Sequence, residues 1–232
     1  MSVPVLYFDK RSPPVRSVLL LVEALAIPVT YHLVDLFKVE HLKEDFLKVN
    51  PLHTVPCLQH NDLLLTDSHA ILVYLCDVYG KGTALEIDGV VNRAKILNKL
   101  MFNGTVLFER EKIIMRKIFL TGKKDIDPKE MAAVKEAVQY LDKVLATTSF
   151  VAGDYLTIAD FSIVASFSTI SLVLDFPQEE FPNVAKWFAK MQELPYYQKA
   201  NQEGLDALKD VMKEICAGES DQNKTFLIRT FL

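Results

Sequence analysis

Cysteine is scarce in this chain, positive charge has no excess, and no apolar run approaches the thickness of a bilayer. Each shortage removes a class of function. The three cysteines of the 232 residues, Cys57, Cys76 and Cys216, are widely spaced and show neither a CxxC nor a Cys/His ligand pattern. A disulfide framework and a zinc site are therefore not expected, and no metal is; Cys57 and Cys76, set among apolar neighbours, read as small buried hydrophobes in a reducing compartment. A formal charge of −4 argues against a nucleic-acid or anionic-membrane surface as the main partner. The longest apolar runs, such as "VLLLV" at 18–22, are far short of a membrane span. Asp9, Lys10 and Arg11 interrupt the opening apolar stretch, so no signal peptide is expected and a soluble, cytoplasmic protein is. There is no internal repeat and no low-complexity tract.

What is present is a chain half hydrophobic and about a quarter charged, able to bury a sizeable core in one large domain or two small ones. Residues 3–8, "VPVLYF", read as a buried strand. Val15, Val18, Leu19, Val22 and Leu25 recur at helical spacing, and "VTYHLV" at 29–34 reads as a second strand, which predicts a parallel pair with a right-handed crossover. A polar, partly helical stretch follows. The runs "TVPCLQH" and "LLLTD" then flank an Asn-Asp hairpin signal, and "SHAILVYLCDVYG" reads as a helix ending near Gly80. The expected order is β-α-β-α-β-β-α, an α/β domain over 1–80. The glycine-containing "GKGTALEIDG" places a linker at 81–89, and 90–232 is expected to be an all-helical bundle. Pro128 suits a first helical turn. "YLTIADFSIVASFSTISLVL" is a nearly all-apolar helix with Thr157 and Asp160 as a capping box and Leu156 with Phe161 as a hydrophobic staple. The tail after Gly218 is polar and then apolar, which suits either a frayed end or a lid.

Three stretches of the first domain carry chemistry. Ser12, ahead of Pro13 and Pro14, occupies an N-cap position worth about 1 kcal/mol. The same geometry would place its hydroxyl, with the helix N–H groups and dipole, beside a thiolate or another anion. The residues alone leave cap and ligand contact both open. In "PLHTVPCL" a proline enters a strand, and a cis Val55-Pro56 bond at a site edge would leave the main chain of Val55 free to pair with an extended peptide. His53 beside it is a lone histidine with a weak claim. In "LLLTDSHAIL", Asp67 and Ser68 open a helix; one of them is a cap, and together they offer a carboxylate to an ammonium group and a hydroxyl to a carboxylate.

In order and spacing, "SPPVR", "NPLHTVPCL" and "TDSHAILVYL", followed by "LTIADFSIV", resemble the insect delta/epsilon glutathione S-transferases over nearly the whole chain. The resemblance implies a thioredoxin-like N-terminal domain that binds glutathione, an all-helical domain completing a hydrophobic site, and a homodimer. Carried onto matching positions, Ser12 would hydrogen-bond the glutathione sulfur. His41 and His53 would approach the glycyl end, and Val55, with Thr54 and Pro56 of the same motif, the cysteinyl backbone. Asp67 and Ser68, with His69 beside them, would hold the γ-glutamyl end. Two residues depart from the pattern. Asp67 stands where the family usually has Glu, and His69 stands where it usually has Arg, a loss expected to weaken glutathione binding or alter a dimer contact. Tyr7, the rival activator by its early position, is expected to be buried packing with a satisfied hydroxyl.

The second substrate is expected to be apolar. Phe108, Met115 and Phe119 follow at helical spacing with Glu111 on the same general face; for an average helix, a solvated charge is the default for Glu111. "DKRSPPVRS", "VDLF", "LTDSHAIL" and "IADFSIV" together resemble the Noppera-bo group of epsilon-type transferases, which serve insect steroid-hormone synthesis. In that group the acidic residue matching Glu111 lies in the hydrophobic site and accepts a hydrogen bond from a steroid hydroxyl. The resemblance therefore implies a steroid-like ligand touching Pro13, Phe37, Phe108, Glu111, Met115, Phe119, Leu208 and Met212, and a role in ecdysteroid synthesis. A general detoxifying transferase and a non-catalytic sterol carrier on the same fold are the alternatives.

Overall fold

A computed structural model describes residues 2–218. Strand β1 (Val5–Phe8) pairs parallel with β2 (Thr30–Leu33), Val5 opposite Thr30, with helix α1 (Pro13–Ala24) crossing between them. It pairs on its other side antiparallel with β3 (Cys57–His60), Tyr7 opposite Cys57. Strand β4 (Leu63–Leu65) returns antiparallel to β3, so the four-stranded sheet runs β2-β1-β3-β4. The Asn61-Asp62 turn closes this hairpin with Asn61 left-handed at φ 55°, a conformation asparagine tolerates. Two short 3-10 turns, Leu36–Lys38 and Glu40–Leu42, and helix α2 (Glu44–Val49) fill the segment between β2 and β3; helix α3 (Ser68–Tyr79) follows β4. The expected order β-α-β-α-β-β-α is the observed one.

The remainder of the described chain is helical: α4 (Val90–Phe102), α5 (Phe108–Thr121), α6 (Pro128–Leu145), α7 (Ile158–Ile170), α8 (Pro182–Gln192) and α9 (Glu203–Cys216). Helices α4 and α5 are joined by a π-helical turn at Asn103–Leu107, and a second π turn at Gln198–Gln202 leads into α9. Helix α7 is the central rod, with all thirteen residues buried. Its Phe167 stacks within 5.1–6.2 Å of the rings of Phe176, Phe188 and Trp187. Because α7 covers the face of α1 that the sheet does not, residues Val15 to Val22 of α1 are buried without a break, Arg16 and Ser17 included. Sequence periodicity marks only one face of such a helix.

The entry to α7 is a capping box as read. Thr157 caps the first turn while Asp160 accepts from the Thr157 N–H at 2.9 Å, and further from Val151 N and Trp187 Nε1. Burial raises the pKa of Asp160, and these donors oppose the rise. A second capping box, Asp127 with Glu130, starts α6 and goes unmarked by a reading that stops at Pro128. The tail beyond Gly218, read as a frayed end or a lid, lies outside the described residues.

Candidate functional site

The loop between β1 and α1 is built around Asp9, a carboxylate only 1% exposed. Arg11 binds both of its oxygens and also Asp35 (2.6 Å), while the Asp9 carboxylate accepts from Arg11 N and Leu36 N. A buried charge this fully paired fixes the loop that follows. Ser12 N donates to Asp9 O at 3.0 Å, and Ser12 O accepts the first bond of α1 from Arg16 N. The N-cap backbone is thus in place, but the Ser12 side chain makes no cap hydrogen bond. Pro13 and Pro14 remove the N–H groups of the first two helical positions, which are among those a capping hydroxyl and an anion would use. Ser12 lines the cavity described below; its backbone caps the helix while its side chain makes no cap bond.

The second wall comes from residues 53–56. Val55-Pro56 is cis, as the strand-entry proline suggested. Among the described residues, neither main-chain polar group of Val55 takes part in a backbone hydrogen bond, and ladder pairing begins only at Cys57. Asn50 clamps the turn by donating to Thr54 O at 2.9 Å. His53 sits in the left-handed region (φ 49°) on the cavity wall. His41 does not reach that wall: it is fully buried behind His53, ring centroids 6.4 Å apart, with both ring nitrogens unpartnered. Burial and the neighbouring His53 hold its pKa below the usual imidazole value.

The third wall is the start of α3. Asp67 Oδ1 caps the helix from His69 N (2.9 Å) and Ala70 N (3.0 Å), while the Asp67 side chain stays 67% exposed and open to a cation. Ser68 is buried against the cavity. His69 turns inward, its Nε2 2.8 Å from Ser162 Oγ of α7.

These walls enclose one cavity of about 300 Å³, at the small end of ligand sites. Ser12, Pro13, His53, Thr54, Val55, Pro56, Asp67, Ser68, His69 and Phe108 line it. Residues that sequence reading did not assign to a site also line it: Pro14, Ser17, Leu36, Thr66, Asn103, Gly104, Glu109, Lys112, Ser162 and Ser166. Ser162 and Ser166 stand one turn apart on α7. Two hydroxyls at i, i+4 in a mostly apolar helix were the available signal. Asn103 and Gly104 were marked by an Asn-Gly pair inside a helical pattern.

The residues expected to form an apolar half of the site are arranged differently. Phe37, Glu111, Met115, Phe119, Leu208 and Met212 do not line the cavity. Met115, Phe119, Leu208 and Met212 are each at most 4% exposed, packed into the core, with Phe37 laid edge-on against Phe119 at 6.3 Å. Arg11 holds Phe37 from outside, its guanidinium 4.2 Å over the ring. Glu111 is buried as well, which overturns the solvated-charge default. One of its carboxyl oxygens has no hydrogen-bond partner. Burial drives its pKa well above the usual carboxylate range; the charge of Arg16 and a hydrogen bond with Ser166 pull the other way without restoring it.

Arg16, itself fully buried, spends its donors on Asn201 Oδ1 (3.0 Å), Arg11 O, Ala165 O and Thr169 Oγ1. No carboxylate lies within ion-pair distance of it among the described residues, and burial lowers its pKa to about 10. Tyr7 is half-buried rather than buried. Its hydroxyl makes a long bond, 3.4 Å, to Gln59 on the exposed side of the sheet, away from the cavity. Cys57 and Cys76 are buried, and that burial pushes both thiols up to about 11, which keeps them protonated packing groups.

Residues 11–78 match the model of the glutathione S-transferase N-terminal domain, and residues 98–195 that of the C-terminal domain. Glutathione S-transferase 1 of Manduca sexta is 34% identical over 212 residues, spanning 90% of this chain and 97% of that protein. The structure of an epsilon-class glutathione S-transferase from the housefly, Musca domestica, superposes with a TM-score of 0.87 at 38% identity, covering 91% of this chain and 98% of that one. A glutathione transferase homologue from Drosophila mojavensis, solved with bound glutathione, superposes at 0.86 with 35% identity, covering 92% and 98%. The chain belongs to the glutathione S-transferases, with the insect delta and epsilon classes as its relatives, and glutathione is the co-substrate of that family.

Proposed function

Starting from that membership, we propose that Ser12 activates the glutathione thiol and that the apolar half of the site takes a steroid-like second substrate. In this reading the chain resembles the Noppera-bo group and serves ecdysteroid synthesis in the cytoplasm. The observation that carries the activation step is the Ser12 hydroxyl, released from capping and set on a cavity wall with Val55 and Asp67-Ser68 on the others. An extended γ-glutamyl tripeptide has the complementary groups. Its ammonium meets Asp67 and its α-carboxylate Ser68, its cysteinyl main chain pairs with Val55 between Thr54 and Pro56, and its glycyl carboxylate lies toward His53 with His41 behind. A thiol with a free pKa near ~8.5 is mostly protonated at neutral pH; lowering it by ~2 units takes about 2.7 kcal/mol of preferential stabilisation of the thiolate. With two N–H groups replaced by prolines, the Ser12 O–H and the α1 dipole are the sources of that stabilisation. The sulfur then bonds to an electrophilic carbon, the leaving group departs with the bonding pair, and the thiol proton goes to solvent.

Support for the steroid reading lies in Glu111: a buried carboxyl with an unpaired oxygen among apolar side chains is a polar contact waiting for a ligand hydroxyl. A detoxifying transferase fits the same apolar chemistry and needs no such contact. A homodimer is the proposed assembly, supported by Val90, Val91, Leu97 and Met101 exposed along α4 together with Leu63 and Leu64 of β4. Residues 81–89 are taken as the linker between the two domains.

The test is conjugation of an aryl halide. Ser12→Ala is expected to lower kcat/KM by about a hundredfold, the loss typical of one donor at a developing or stabilised anion; full activity would remove Ser12 from the mechanism. A hydroxylated steroid should compete with the halide, and Glu111→Ala should weaken that competition while sparing glutathione affinity. Unchanged competition leaves the detoxifying reading, and binding without any thiol transfer leaves the carrier.

A further inference from the structure

The peptide that joins Arg11 to Ser12 is held at both of its polar ends. Its N–H, on Ser12, donates to Asp9 O at 3.0 Å, and its carbonyl, on Arg11, accepts from Arg16 Nη1 at 3.0 Å. Among the described residues no other protein donor reaches that carbonyl. The remaining bonds of the guanidinium all run to the helical C-terminal domain. Nε donates to Asn201 Oδ1 at 3.0 Å in the π turn ahead of α9, and Nη2 donates to Ala165 O at 3.1 Å and to Thr169 Oγ1 on α7. A planar, fully buried group with acceptors in four directions has no freedom to turn.

The acceptors are themselves fixed. Asn201 Nδ2 donates to Ser168 Oγ at 3.2 Å, and Ser168 Oγ donates to Ala165 O at 3.1 Å, so the π turn is tied to α7 behind the guanidinium. The start of α9 closes on the same place, where a Cβ on Gly204 would stand 2.9 Å from Arg16 Cδ and 2.1 Å from Lys10 O.

Arg16 does not line the cavity; Ser12 does. With no cap bond at its hydroxyl, the direction of the Ser12 side chain is set by its backbone. Its ψ of 125° is the one that the following Pro13 imposes. Its φ of −76° depends on the plane of the Arg11–Ser12 peptide, the unit that Asp9 O and Arg16 hold from opposite ends.

We propose that Arg16 is a positioning residue for Ser12, fixing the Arg11–Ser12 peptide against α7 and the π turn so that the helical C-terminal domain aims the Ser12 hydroxyl into the cavity. The consequence for the glutathione thiol rests on Ser12 as its activator, as proposed above; the hold on the loop does not.

The charged and titratable groups around Arg16 come from four places. The loop carries Arg11, itself bound to Asp9 and Asp35; α5 brings Glu111; Tyr197 leads into the π turn; and α9 starts with Glu203, paired with Lys10 at 3.4 Å. Helix α7 brings only Ala165 O, Ser168 and Thr169.

Lysine has a single donor centre and cannot span the four acceptors, so Arg16→Lys should free the loop. Amide hydrogen exchange at Ser12, read by NMR in the ligand-free protein, should quicken about tenfold. The pKa of bound glutathione, followed by thiolate absorbance, should rise by about one unit, with kcat for an aryl halide at neutral pH down about tenfold and KM for glutathione little changed. Unchanged exchange at Ser12 overturns the proposal whatever the activity does. The second arm places Arg16→Lys in a Ser12→Ala background, where the thiol pKa is expected to move no further. A further shift as large as in the wild-type background means that Arg16 acts by another route, and that also overturns the proposal. If Ser12→Ala alone leaves the thiol pKa at its wild-type value while exchange still responds to Arg16→Lys, the activation reading has failed and the hold on the loop stands. Should Arg16→Lys not fold, Asn201→Ala removes only the Nε acceptor; it should move exchange and thiol pKa the same way by a smaller amount, and no movement in either overturns the proposal.

Discussion

The two halves of the proposed site differ in how they are made. The polar half is an open cavity whose walls are loop ends and helix starts, held by backbone hydrogen bonds and by the buried Asp9–Arg11–Asp35 cluster. The apolar half is closed: Met115, Phe119, Leu208 and Met212 are packed as core, with Phe37 pinned over them by Arg11. In the proposed site a peptide-shaped co-substrate would meet a preformed surface, whereas an apolar substrate would have to displace side chains from one another. On that proposal, specificity for the first would rest on placed polar groups, and for the second on the cost of separating packed rings.

The contrast is broken most severely at Gly204, where α9 meets the loop carrying Ser12. A Cβ there would stand 2.1 Å from Lys10 O and 2.9 Å from Arg16 Cδ. Gly204→Ala should disturb both halves at once, costing about 1–3 kcal/mol by overpacking and lowering conjugation of every substrate. Thermal melting and kcat/KM check it; a variant with normal melting and activity would show that the approach of α9 is not needed. A smaller and one-sided effect is expected from Phe37→Ala. It should lower KM for bulky apolar electrophiles severalfold and leave KM for glutathione unchanged, and a change confined to glutathione would mean that Phe37 guards the other half.

The smallest effect concerns Glu111. Its pKa is raised in the folded state, so above pH 4.5 the unfolded chain releases a proton that the folded chain keeps. That difference costs stability increasingly as pH rises toward the folded value. Glu111→Gln should melt higher than wild type at pH 7, and the gain should shrink to nothing as pH falls to 4.5. A gain that grows on acidification would mean that Glu111 is ionised in the fold. His41 has the opposite sign: its pKa is lowered, so the stability it contributes is full above pH 6.5 and is lost as pH falls below that value.

The same division decided what the sequence made legible. Loop motifs name their geometry: a serine before two prolines, a Val-Pro step and an Asp-Ser helix start each have few structural solutions, and all three meet at the cavity. The N-cap position of Ser12 was legible, but its capping bond was not, because the prolines that mark the helix start also remove donors a side-chain cap would bond. His41 looked like a second ligand residue because spacing along the chain does not show that one histidine stands behind another. Ser162 and Ser166 were absorbed into a helix whose apolar content overwhelmed them. Glu111 was ambiguous for the reverse reason, since a carboxylate on a helix is usually solvated and only packing from α1 and α7 buries it.

The π turn at Asn103–Leu107 has a consequence for how the far wall is aimed. An α-helix advances about 100° per residue, so one extra residue in a turn rotates everything beyond it by roughly that angle relative to the phase set upstream. Helices α4 and α5 are therefore two rotational settings of one rod. Exposed Val91 and Met101 follow the first setting, while Phe108 at the cavity and buried Glu111 and Met115 follow the second. An outward face that suits a neighbouring surface and an inward face that suits a ligand need not share a common period, and the extra residue lets each be chosen without constraining the other.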